Sequence, residues 1–143
     1  MTGTVAQLAA AWQVVSPLDT TTWQWILAIA LSYCFALIYE DVRDMEGDRA
    51  IGRRTPALLV GPWPIRIWFS ALMAGIPPLL HFLLFAPIGA AAWRIVLCDT
   101  MLAAVCWTAA VRALLLRHTA ADRTTYQLYV LSYIIALATG PIL

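Results

Sequence analysis

The chain has 143 residues, 62% of them hydrophobic and only 12% charged, with a mean hydropathy of +0.78. A soluble domain carries about 25% charged residues, so half that share excludes an ordinary soluble surface and points to lipid. The length suits one domain, and a net charge of +1 gives no support to nucleic-acid binding.

Residues 4–15 are apolar and rich in alanine, but too short to cross a bilayer, which needs about 20 residues. They read as the tail of a helix, and the chain as the C-terminal portion of something longer. Residues 1–20 hold no Lys or Arg, so no secretory signal is expected there. Ser16-Pro17-Leu18-Asp19-Thr20 reads as a turn. A first span is predicted over about 22–40, with Trp23 and Trp25 as interfacial aromatics. Pro62 and Pro64 open a second span over about 62–85, which should kink at Pro77-Pro78. Ala86-Pro87-Ile88-Gly89 is a turn, 92–116 a third span, 117–123 a polar loop and 124–143 a fourth span. The expected fold is therefore all-α: one multi-span transmembrane helix bundle, with about four spans and a short N-terminal helix.

Between the first two spans lies a polar island, residues 39–55. It carries five of the eight acids (Glu40, Asp41, Asp44, Glu46, Asp48) and four of the nine arginines (Arg43, Arg49, Arg53, Arg54). Asp41, Asp44 and Asp48 are spaced i, i+3, i+7, which puts them on one face of a helix. Such a stripe repels itself unless a cation sits in it. Magnesium suits oxygen ligands, takes one or two carboxylates and completes its shell with phosphate oxygens. Guanidinium groups match phosphate bidentately, so Arg49, Arg53 and Arg54 suit the diphosphate itself. The island reads as a Mg2+-diphosphate cradle at the mouth of a helix bundle.

The run Asp41-Val-Arg-Asp44-Met-Glu-Gly-Asp48-Arg-Ala-Ile-Gly52-Arg53-Arg54-Thr55 resembles the second aspartate-rich motif of the UbiA-type membrane prenyltransferase superfamily. The resemblance implies nine helices around a cavity, of which this chain supplies the second half, a partial UbiA-like fold. It implies Asp41, Asp44 and Asp48 as metal ligands, and Arg53 or Arg54 on the diphosphate of an isoprenoid donor. The family's first aspartate-rich motif is absent, so an isolated chain is expected to be weak or inactive unless another chain supplies the missing half. The chemistry it implies is ionisation of a prenyl diphosphate, with the cation captured by an acceptor. Fungal membrane terpene cyclases resemble the same motif, so cyclisation is the alternative outcome. A membrane fragment or partner subunit without activity is the non-enzymatic alternative. A CDP-alcohol phosphotransferase is excluded, since Asp44 is followed by Met45 rather than glycine and the next aspartate beyond Asp48 is Asp99.

The remaining polar residues carry plainer readings. Glu40 and Glu46 are solvated or helix-end charges. Asp99, inside a span, pairs with Arg94 or with neighbouring hydroxyls. His81 is a packing histidine, and Tyr126, Tyr129 and Tyr133 recur at helical spacing as packing residues. The faces of Tyr33, Tyr39, Tyr126 or Tyr129 could stabilise a carbocation. Cys34, Cys98 and Cys106 are small buried hydrophobes. The island and the 117–123 loop hold six arginines, and the connections 16–21 and 86–91 hold none. That asymmetry predicts an integral membrane protein with the island cytoplasmic.

Overall fold

A computed structural model describes residues 2–14 and 17–143. Residue 15 of the expected N-terminal run and residue 16 of the expected turn lie outside the described residues. Seven α-helices follow in order: α1 (Thr2–Gln13), α2 (Thr20–Cys34), α3 (Tyr39–Ala50), α4 (Pro56–Val60), α5 (Pro62–Leu80), α6 (Ala92–Leu115) and α7 (Thr119–Ile142). The described residues contain no strand.

Local chemistry sets the helix ends. Asp19 caps α2 by accepting the Thr22 N–H at 2.7 Å. Pro56 and Pro62 open α4 and α5, where a missing N–H costs nothing. Gly52 closes the α3 end at φ +69°, a left-handed conformation that suits glycine. His118 caps α7 through Nδ1, which accepts the Ala121 N–H at 3.2 Å. The loop expected over 117–123 is therefore shorter, because Thr119 already begins a helix.

Among the described residues, two helical stretches are long and apolar enough to cross a membrane. The first, Pro62–Ile88, takes in α5 and the turns after it, and the second is α6. The pair α2 and α3 qualifies only as a span bent by 42°. The first expected span, 22–40, is thus interrupted at 35–38. α7 coincides with the fourth expected span, but Gln127, Ser132, Thr139 and its tyrosines weaken its apolar character. After Pro77 and Pro78 the helix passes into a π turn over His81–Phe85. Prolines remove backbone donors and force such readjustment.

α5, α6 and α7 form two successive antiparallel hairpins, with α2 packed on α5 and α7. Tyr39, Phe69, Met73, Leu80, Leu102 and Cys106 fill the centre. Phe69 stacks on Tyr39 with ring centres 4.2 Å apart. Small residues, Ala109 and Ala113 on α6 and Ala136 on α7, are fully buried and take little room between helices. Large apolar side chains such as Trp68, Phe82, Val96 and Trp107 stand on the outside, as a lipid-facing surface requires.

One polar knot crosses this apolar bundle. Arg66 of α5 and Asp122 of α7 are both buried, and their ion pair is 2.7 Å long. Arg66 also donates to the carbonyls of Ala113 at 2.9 Å and Leu116 at 3.2 Å, and to the Tyr39 hydroxyl at 3.3 Å. The Tyr39 hydroxyl in turn donates to Asp122 at 2.7 Å. Four helices, α3, α5, α6 and α7, are thereby tied at one end. Removing one partner of a buried pair leaves an uncompensated charge, which costs about 3–5 kcal/mol, whereas an apolar replacement of both costs far less. Asp122→Asn is therefore expected to destabilise the chain by about that amount. The double replacement Arg66→Met with Asp122→Leu should recover most of it. Unfolding by sodium dodecyl sulfate titration in mixed micelles measures both, and equal losses would contradict the account.

Candidate functional site

The acidic stripe is helical as expected. Asp41, Asp44 and Asp48 all lie on α3, within about 60° of one another around its axis, given 3.6 residues per turn. Gly47 sits inside the helix, so the island is more regular than a loop. Tyr39, buried and held by the polar knot, fixes the start of α3. Gly52 fixes its end, where the Arg53 N–H donates to the Asp48 carbonyl at 2.9 Å.

The three carboxylates have different surroundings. Asp44 accepts from Arg43 Nε at 2.7 Å and from a terminal nitrogen at 2.5 Å. Arg43 also reaches Glu40 at 3.1 Å and lies 4.3 Å from the centre of the Tyr126 ring. Its hydrogen bonds hold the Asp44 carboxyl below the usual carboxylate range. Asp48 is buried and meets the exposed Arg53 at 3.5 Å. Burial, and then the Asp48 charge, push the Asp41 carboxyl above the usual range, with Arg53 opposing. Asp41 is therefore the electrostatically strained member of the stripe, with Asp48 as its largest source of repulsion.

Among the described residues no group of three His, Cys, Asp or Glu side chains is gathered to hold a metal ion. The Asp41–Asp48 pair is a smaller donor set, and two carboxylates fit magnesium, which takes the rest of its shell from water and phosphate. Thr55, the last residue of the motif, is buried with a hydroxyl that has no hydrogen-bond partner. Of the arginines expected on a diphosphate, Arg53 stands beside Asp48. Arg49 lies about 100° around α3 from Asp48 and lines a separate cleft with Arg43, Arg66 and Arg117. Arg54 is exposed.

Other expectations need correction. Asp99 pairs with His81 at 2.7 Å and not with Arg94. The π turn after Pro77-Pro78 carries His81 across to α6, whereas Arg94 turns to the Ile142 carbonyl at 3.3 Å. Tyr33, Tyr39 and Tyr129 are buried among aromatic neighbours and offer no open face. Tyr126 is only partly buried, but Arg43 covers its ring. Arg66 and Asp122 escaped notice as functional partners because they lie 56 residues apart. The available signal was Arg66 itself, an ionisable residue in an apolar span.

Comparison with known proteins gives two relatives of curated function. Over 138 residues the chain is 38% identical to Somaliensene A/B synthase of Streptomyces somaliensis, covering 96% of this chain and 46% of that protein. Over 75 residues it is 40% identical to Diterpene cyclase eriG of Hericium erinaceus, covering 51% of this chain and 24% of that protein. The chain thus spans about half the length of the first relative. The first is named as a synthase and the second as a diterpene cyclase. No family model and no solved structure matches the chain.

The two shifted carboxyls give opposite linkage. Asp44, with its lowered value, stabilises the fold above the usual carboxylate range, and this is lost as pH falls through the lowered value. Asp41, with its raised value, disfavours the fold when ionised and takes a proton first on acidification. Carboxyl carbon NMR on Asp-labelled protein should show Asp41 titrating at higher pH than Asp44. The reverse order would contradict the geometry.

Proposed function

We propose that this chain belongs to the UbiA-type superfamily and forms the half of a membrane terpene cyclase that carries the second aspartate-rich motif. The observation that carries this reading is the α3 stripe, a helical Asp41-x-x-Asp44-x-x-x-Asp48 followed by Gly52, Arg53 and Arg54. Its substrate is a prenyl diphosphate. The name of the second relative, a diterpene cyclase, favours cyclisation over transfer to an acceptor. Prenyl transfer is the second reading, and it shares the same first step.

Asp41 and Asp48 are the residues that would hold Mg2+, and Asp44 joins them only by exchanging Arg43 for the metal. When bound, the metal stabilises charge on the leaving diphosphate. Arg53 and Arg54 bind the diphosphate from the C-terminal end of α3, where Arg53 already stands against Asp48. Arg43 and Tyr126 position the stripe through the Arg43–Asp44 pair. The polar knot holds α3 against α5 and α7, so this charge is preorganised at the membrane edge. The arginine-rich end faces the cytoplasm in this reading.

Activity is tested on the chain alone and on the chain co-expressed with the preceding part of Somaliensene A/B synthase. Geranylgeranyl and farnesyl diphosphate serve as donors, and the products are analysed by gas chromatography. Losing one charge-stabilising group costs about 10²–10³ in rate, so Asp41→Asn and Asp48→Asn should each lose about that much. Asp44→Asn should lose less, and Glu46→Gln should keep wild-type turnover. Cyclic hydrocarbon without added acceptor supports cyclisation. Wild-type rates in Asp41→Asn and Asp48→Asn would reject the assignment.

A further inference from the structure

Outside the acidic stripe, two adjoining clefts share one residue. The first, of about 560 Å³, is an apolar groove between α5 and α6, with Trp63, Ile67, Ala71, Ala74 and Val111 on its walls. The second, of about 300 Å³, is polar, and lies between α3, the start of α5 and the start of α7. Arg117 lines both.

The polar cleft has spare positive charge. It holds Arg43, Arg49, Arg66 and Arg117 with His118, against Glu46 and Asp122. Arg43 is engaged by Glu40 and Asp44, and Arg66 by Asp122. Arg49 and Arg117 enter no ion pair among the described residues. That leaves two cations facing Glu46. Thr119 donates its hydroxyl to Glu46 at 3.5 Å, and the N-terminus of the 24-residue α7 adds its dipole. Arg117 is set 4.4 Å over the Trp63 ring and donates Nε–H to the Leu114 carbonyl at 3.4 Å. Trp beside Arg at a helix end is the arrangement expected at the headgroup level of a bilayer.

The apolar groove has a defined length. From Trp63 to Ala74 it runs along α5 for about 16 Å, at 1.5 Å per residue. There Trp107 reaches across and donates to the Ala74 carbonyl at 3.3 Å. This is about half of the ~30 Å hydrocarbon core, the depth of one leaflet. A partner helix would need a seam along the whole span, and this groove stops midway.

We propose that the α5–α6 groove holds one acyl chain of an anionic membrane phospholipid, whose phosphate sits in the basic cleft on Arg117 and Arg49. This goes beyond the proposed reaction, because neither cleft is lined by Asp41, Asp44 or Asp48. It would anchor the end of the bundle that carries α3 at the membrane surface.

Native mass spectrometry of the chain in detergent, titrated with phosphatidylglycerol or phosphatidylcholine, tests the site. Phosphatidylglycerol should be retained at least tenfold better, since both lipids offer a phosphate but phosphatidylcholine adds a trimethylammonium that opposes Arg49 and Arg117, a difference of about one decade in affinity. Arg117→Gln and Arg49→Gln should each lose most of that preference. Ala74→Phe, which fills the groove without changing charge, should weaken both lipids. Equal retention of the two lipids would overturn the proposal, and so would a preference unchanged in both arginine variants. Retention of farnesyl diphosphate through Arg117 in magnesium-free buffer, without retention of phosphatidylglycerol, would overturn it in favour of a substrate site.

Discussion

The constraint on which the rest depends is a buried guanidinium in a largely apolar bundle. Arg66 cannot face lipid at acceptable cost, so every nearby acceptor is recruited to it. Asp122 supplies the charge, Tyr39 supplies a hydroxyl, and the end of α6 supplies two carbonyls. Because those acceptors come from different helices, satisfying one side chain fixes the relative positions of α3, α5, α6 and α7. A wholly apolar contact surface would let the same helices slide, since lipid tails compete with side-chain packing in a membrane.

That fixed end gives α3 two faces with different chemistry. One face carries the carboxylate stripe, where burial and the Asp48 charge weigh on Asp41 while Arg43 relieves Asp44. The other faces the basic cleft with Arg49. A helix with carboxylates on one side and an arginine on the other can separate cation binding from anion binding within two turns. The repulsion that Asp48 exerts on Asp41 is what a divalent ion would relieve. The ion pair at Asp44 shows how the chain satisfies part of the stripe with its own residues.

Much of this was legible in the sequence. The i, i+3, i+7 spacing identified the helical stripe, and Gly52 marked its end. The long apolar runs located α5 and α6. The resemblance to the UbiA-type motif rested on the same stripe, and the name of one relative, a diterpene cyclase, agrees with an isoprenoid chemistry. What escaped was long-range. Asp122 looked like a loop charge because its partner lies 56 residues away. His81 and Asp99 looked separate because only the π turn after the proline pair aligns them. The break at 35–38 escaped because its residues are as apolar as a continuous span, and neither proline nor glycine marks the turn there. Arg49 looked equivalent to Arg53 in the motif, but helical geometry turns it away from the stripe.

The central claim is that α3 holds a divalent ion and a prenyl diphosphate together. Manganese can stand in for magnesium, and pulsed electron–nuclear resonance then detects phosphorus next to the bound ion. The account predicts a phosphorus coupling when Mn2+ and a non-hydrolysable thiolo analogue of geranylgeranyl diphosphate are added together to the chain paired with the complementary part of its relative. That coupling should vanish in Asp48→Asn. Manganese bound with no phosphorus coupling, or a coupling unchanged in Asp41→Asn and Asp48→Asn, would contradict it.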